Sequence, residues 1–200
     1  MIAARRQLPT VKMDPSAEAN ALPDILARNL SVVFCGINPA LTAAVSGKHF
    51  MSGTNRFWRA LHLSGFTPEL IRPENDRSIL KYGYGLTTAV ARPTRRAGEL
   101  SRDELVRAGA VLEHKLTAYK PRHIAFLGKM AYAAIARNPK LDWGPQPTTF
   151  AGASVWVLPN PSGLNRAFQL DALVTTYREM RIVVLGLEGD RQPDRRDVGE

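Results

Sequence analysis

The sequence predicts an α/β protein: a short, mainly parallel sheet with helices on both faces. Three observations predict it. Four segments have strand length, the first of them a continuous apolar run, helix-period patterns lie between them, and the strand ends are punctuated by Gly, Asn and Pro. The first run, Ser31–Cys35, stops at Gly36-Ile37-Asn38-Pro39. Residues 55–64 place Phe57, Trp58 and Leu61 on one helical face, and Gly65 is a fitting stop. Tyr84–Thr88 reads as a second strand. Ser101 and Glu104 form the signature of a capping box, and Leu105, Leu112, Leu116 and Tyr119 continue it as a helix that Pro121 closes. His123–Leu127 then reads as a strand, Lys129–Arg137 as a helix and Ser154–Leu158 as a strand. Phe168, Leu170, Leu173, Val174 and Tyr177 mark a final amphipathic helix.

Two hundred residues with 44% hydrophobic content suit one globular domain, expected over residues 23–186. Residues 1–22 and 187–200 are polar, Pro- and charge-bearing, and are expected to be disordered extensions. No apolar run is long enough to span a membrane, and the two arginines near the start have no apolar segment behind them, which argues against a secretory signal. The single cysteine, Cys35, allows no intramolecular disulfide and no multi-cysteine metal site, so a reducing, cytoplasmic setting is expected. It ends an apolar strand and reads as a core residue. Four scattered histidines lack metal-ligand spacing, and His49 has no evident partner. The net charge is +9; the first 24 residues are balanced and residues 187–200 are net acidic, so the excess sits in the middle of the chain. That favours a polyanion such as nucleic acid.

In a parallel sheet, ligands bind beyond the carboxyl ends of the strands. Two strands deliver an Asn-Pro turn there: Asn38-Pro39 after the first, and Pro159-Asn160-Pro161-Ser162-Gly163-Leu164-Asn165-Arg166 after Ser154–Leu158. Either alone is ordinary turn chemistry. Together with Asn55-Arg56-Phe57-Trp58, Arg92-Pro93-Thr94 and Leu127-Gly128-Lys129, in that order and at compatible spacings, they make a pattern. The sequence resembles the mismatch-specific uracil-DNA glycosylases, bacterial relatives of thymine-DNA glycosylase, over roughly Asp24 to Arg181.

The resemblance implies a three-layer α/β/α sandwich. It also implies hydrolysis of the N-glycosidic bond of uracil, less well thymine or modified pyrimidines, mispaired with guanine in double-stranded DNA, leaving an abasic site. No cofactor or metal is implied, and a monomer is expected. By position, Asn38 matches the residue that orients the attacking water, and Ile37 and Phe50 supply contacts to the base, with the Phe50 ring on its face. Asn160 stands where the broader superfamily often has histidine, and its amide can donate to the base without carrying charge. Ser162, Gly163, Leu164, Asn165 and Arg166 match the insertion loop, with Leu164 as the wedge that fills the vacated stack and Gly163 and Asn165 placed to pair with the widowed guanine. Without the resemblance, Leu164 reads as an anchor for the last helix. Lys48, Arg56, Lys129 and Arg166 are expected phosphate contacts.

The chain departs from the pattern at Ala91, where the family commonly has an acidic residue before the arginine, and at Ala40, where Gly is more usual. A carboxylate near the sugar stabilises a cationic transition state, so Ala91 predicts weakened catalysis. Two alternatives stand beside the glycosylase: a module that binds mismatched or abasic DNA but scarcely cleaves it, and a nucleotide-hydrolysing α/β enzyme.

Overall fold

The computed structural model describes residues 22–187. The two expected disordered extensions lie, apart from Leu22 and Leu187, outside the described residues. Five strands form one sheet: β1 Val32–Gly36, β2 Tyr84–Thr88, β3 His123–Leu127, β4 Gly144–Phe150 and β5 Ala153–Leu158. Their spatial order is β2-β1-β3-β5-β4, and every pairing is parallel except β4 with β5. After β1 the chain moves outward to β2, then crosses to β3 on the other side of β1. Connections therefore diverge between β1 and β3, which leaves a crevice beyond their carboxyl ends.

Alternation along the strands divides the core into two layers. Val33, Cys35, Ile124, Phe126, Val155 and Val157 face helices α3 (Arg102–Tyr119) and α4 (Lys129–Ile135), packing on Leu105, Leu112, Leu116 and Tyr132. Val32, Phe34, Ala125, Leu127 and Trp156 face the other way, onto α2 (Phe57–Leu63) and α5 (Leu170–Val184). Phe34 is the aromatic centre of that side, with Phe57 and Phe66 edge-on at 5.5 and 5.4 Å. The result is the three-layer α/β/α sandwich with a short, mainly parallel sheet.

The strands β2 and β3 have the expected bounds, and β1 and β5 differ by one residue. At α3, Ser101 accepts the Glu104 N–H at 3.1 Å, but the return arm of the expected capping box is missing. The Glu104 carboxylate is instead held by the Arg92 guanidinium at 2.7 and 2.9 Å. A tertiary ion pair has outcompeted a local cap. Phe168 lies before α5 rather than in it, edge-on to Trp143 at 5.1 Å. Four elements have no counterpart in the sequence reading: α1 (Leu41–Ser46), 3-10 segments over Pro73–Tyr82 and Ala97–Glu99, and the edge strand β4. Pro145 and Pro147 fit β4 because one side of an edge strand has no ladder to complete.

Candidate active site

Asn38 follows β1 and Asn160 follows β5, with the end of β3 between them. Gly128 closes that gap. Its φ is 110°, and a Cβ there would lie 3.4 Å from Asn160 Cβ and 3.5 Å from Ile37 Cδ1. Those are ordinary van der Waals distances, so the need for glycine is conformational: any other residue would be strained at this φ. Both asparagines line one cleft, floored by Gly36, Ile37 and Leu127 and walled by Phe50, Met51, Thr94 and Ser162.

The two amides are fixed with opposite ends free. Asn38 Nδ2 donates to the Arg92 carbonyl at 2.9 Å and to Thr94 Oγ1 at 2.8 Å. A carbonyl can only accept, so this end must be the NH₂. Asn38 Oδ1, an acceptor, has no partner among the described residues. Asn160 is the reverse: its Oδ1 accepts the Ser162 N–H at 2.9 Å, leaving Nδ2 as an unengaged donor among the described residues. Among the lining residues, one cleft thus holds a free acceptor on the Asn38 side and a free donor on the Asn160 side. No Asp or Glu is among its described lining residues.

Phe50 also lines the cleft, half-buried. One face of its ring stacks on Phe57, centroids 4.0 Å apart, and Trp58 meets it edge-on at 6.3 Å. Its φ of 56° is a left-handed conformation that costs a bulky residue about 1–3 kcal/mol, of the kind retained where placement of a side chain matters. Neighbouring interactions enforce it. The buried Asp76 carboxylate accepts the His49 N–H at 3.0 Å, and Trp58 Nε1 donates to the His49 carbonyl at 3.1 Å. His49, which showed no partner in sequence, donates from Nε2 to the Pro23 carbonyl at 2.9 Å. Burial holds its pKa below the usual 6.5 despite that carbonyl and the nearby Asp76, so the ring is neutral at pH 7. Cys35 is buried and its thiol is pushed far up by desolvation, as a core residue.

The loop Ser162–Arg166 projects at the cleft mouth. Leu164 is 73% exposed, so it does not anchor the last helix. Gly163 fits because a Cβ would come within 2.6 Å of the Thr54 side chain and 2.8 Å of its carbonyl. Asn165 turns its amide inward, donating to the Asn160 carbonyl at 2.8 Å, while Arg166 is exposed.

Three of the four expected phosphate contacts have partners within the fold. Arg56 is a clamp: its guanidinium donates to the carbonyls of Pro161, Ser162, Asn165 and Phe168 at 3.3, 2.7, 2.9 and 2.6 Å. Its donors are spent on holding the insertion loop, with little left for DNA. Lys48 pairs with Asp76 at 3.3 Å. Lys129 sits 4.6 Å from the Trp143 ring centroid, a cation–π contact.

Ala91 is exposed and is not among the residues lining the cleft. Its neighbours matter more: Arg92 offers the carbonyl, and Thr94 the hydroxyl, that hold Asn38. Thr94, Arg95 and Arg96 line the cleft and were not singled out in the sequence; the Arg92-Pro93-Thr94 motif was the available signal. Among the described residues no group of three or more His, Cys, Asp and Glu is arranged to hold a metal ion.

A family model described as the uracil DNA glycosylase superfamily matches residues 23–181. Among solved structures, the solution NMR structure of a candidate uracil DNA glycosylase from Methanosarcina acetivorans is similar at a TM-score of 0.54 and 20% identity. The alignment covers 81% of this chain and 98% of that one. At that identity the likeness is one of fold.

Proposed function

The chain belongs to the uracil DNA glycosylase superfamily, and we propose that within it the protein excises uracil mispaired with guanine from duplex DNA. The base is everted into the cleft and the N-glycosidic bond is hydrolysed. Thymine and modified pyrimidines are poorer substrates. The observation that carries this reading is the pair of amides held with opposite ends free, in a cleft whose described lining holds no carboxylate.

Cleaving this bond places positive charge on the deoxyribose and negative charge on the departing base. Ordinary glycosidases use two carboxylates for such chemistry. Here the demands are met differently. Asn38 Oδ1 accepts from a water and aims it at C1′, while the bonds from Nδ2 to Arg92 and Thr94 keep the amide from rotating. The pyrimidine lies on the Phe50 face, and Asn160 Nδ2 donates to a base oxygen as charge accumulates there. One such preorganised donor is worth about 10²–10³ in rate. Uracil is a fair leaving group as an anion, so leaving-group stabilisation substitutes for acid catalysis. A neutral amide is a weak base, and turnover is correspondingly slow.

Leu164 fills the stack that the base vacates, and its exposure at the cleft mouth supports that role. Eversion costs a few kcal/mol and least at a mismatch, which favours G·U over A·U pairs. A second reading, a mismatch or abasic-site binder with feeble activity, is favoured by the lack of a carboxylate among the described residues that line the cleft. Incubating a labelled duplex with a central G·U, A·U or G·C pair, followed by alkali, separates them. Strand breakage at G·U with enzyme in excess supports the glycosylase. Binding without breakage supports the binder, and activity only on free deoxyuridine nucleotides refutes both.

A further inference from the structure

Arg95 and Arg96 line the cleft on the side of Asn38, and both are exposed. Neither guanidinium has an ion-pair or hydrogen-bond partner among the described residues. The nearby acids are committed elsewhere. Glu104 is held by Arg92, and Glu99 Oε1 accepts the Arg96 backbone N–H at 2.9 Å. With no carboxylate in the described cleft lining, two adjacent positive charges face it uncompensated.

We infer that Arg95 and Arg96 form a subsite for a phosphodiester of the strand that carries the everted nucleotide. The inference rests on the glycosylase reading only for the identity of the nucleic acid. With the base against Phe50 and Asn160 and the glycosidic bond at Asn38, the phosphates lie beyond the sugar, on the Arg95–Arg96 side. Planar guanidinium forks suit phosphate oxygens in paired hydrogen bonds.

The subsite is also linked to the water-aiming amide. Thr94 Oγ1 accepts from Asn38 Nδ2 at 2.8 Å and donates to the Arg96 carbonyl at 2.9 Å. A phosphate that fixes the Arg95–Arg96 turn therefore steadies Thr94 and, through it, Asn38. Arg95 and Arg96 act as positioning residues as well as binding the strand directly.

The test uses the full chain and a duplex with a tetrahydrofuran abasic analogue opposite guanine. Its flanking phosphates are either natural or replaced by neutral methylphosphonates. For the unaltered protein, neutralising the bound phosphate is expected to weaken binding about tenfold, the worth of one charge-assisted pair. Arg95→Gln with Arg96→Gln should bind both duplexes alike, and its slope of log affinity against log salt should shrink by about 0.9 for each phosphate it no longer neutralises. Arg95→Lys with Arg96→Lys should restore most of that slope. Lys120→Gln, at the far end of α3, should keep the full methylphosphonate sensitivity. Equal methylphosphonate penalties in the unaltered protein and in Arg95→Gln with Arg96→Gln would overturn the subsite. An unaltered protein that excises no uracil, yet shows the arginine-dependent penalty, supports the subsite while overturning the glycosylase reading.

Discussion

Replacing Leu164 with alanine should separate duplex from single-stranded activity. The change removes three carbons, worth about 2.4 kcal/mol on full burial at about 0.8 kcal/mol per carbon. Because Leu164 is 73% exposed, roughly three quarters of that gain is still unrealised in the free protein. Insertion into the duplex therefore draws about 1.8 kcal/mol from this side chain, and its loss should weaken binding to a G·abasic duplex about twentyfold. Single-turnover excision from G·U duplex should fall by a similar factor when enzyme is below saturation. Uracil in a single strand leaves little stack to fill, so its excision should fall less than about threefold. The Tm should hardly move, since a mostly solvated side chain contributes little to the fold. Fluorescence anisotropy, quenched excision assays on both substrates and a thermal melt supply the four readings. Equal losses on duplex and single strand, or a clear drop in Tm with no change in duplex binding, would refute the wedge.

Other expectations follow from the same geometry. Asn38→Ala should slow single-turnover excision at least about tenfold while leaving G·abasic binding nearly unchanged, and an unaltered rate would make Asn38 a turn residue. Arg56→Ala removes four side-chain hydrogen bonds and leaves the Asn165 and Phe168 carbonyls without a donor among the described residues, while the Pro161 and Ser162 carbonyls keep backbone donors, so it should lower stability by about 3 kcal/mol and abolish the preference for mismatched duplex. Its salt slope of binding should match the unaltered protein; a slope reduced by about 0.9 would restore Arg56 as a phosphate contact. His49 has a pKa below 6.5 in the folded state, so the unfolded chain binds the extra proton first as pH falls. Its contribution to stability is intact above about pH 6.5 and declines below it, down to the depressed pKa. Urea titrations at several pH values should show that decline, and His49→Gln should flatten it.

The core strands were legible because a strand buried on both faces is written as an unbroken apolar run, as in His123–Leu127. β4 was not, since an edge strand with Pro145, Pro147 and exposed side chains carries no such run. Helix α1 hid for the opposite reason: Leu41 and Val45, its large apolar residues, point to solvent rather than describing a buried stripe. Asn38 and Asn160 could be singled out because strand ends are marked in sequence. Their fixed orientation could not, because Arg92 and Thr94 arrive from more than fifty residues away. Arg56, Lys48 and Lys129 show the same limit. Each looks like a surface cation until a carbonyl, a buried carboxylate or an indole from a distant segment claims it. Glu104 reads as a cap for want of any local sign of Arg92.

Arg56 also binds the Pro161 carbonyl through its own backbone N–H at 3.0 Å, and Thr54 fits against Gly163, so the segment after Phe50 and the loop bearing Leu164 are bolted together. With Leu164 as the proposed plug and the Phe50 cleft as the proposed receptacle, the two sit at a preset offset, like the jaws of a fixed gauge. Such a tool samples one nucleotide per registration and cannot stretch to a neighbour. A lesion one step away has to be reached by moving the whole protein along the helix. On the proposed eversion of the base, search should proceed in discrete steps of a base pair, and a substitution that loosens the gauge should blur which position is inspected before it changes which base is accepted.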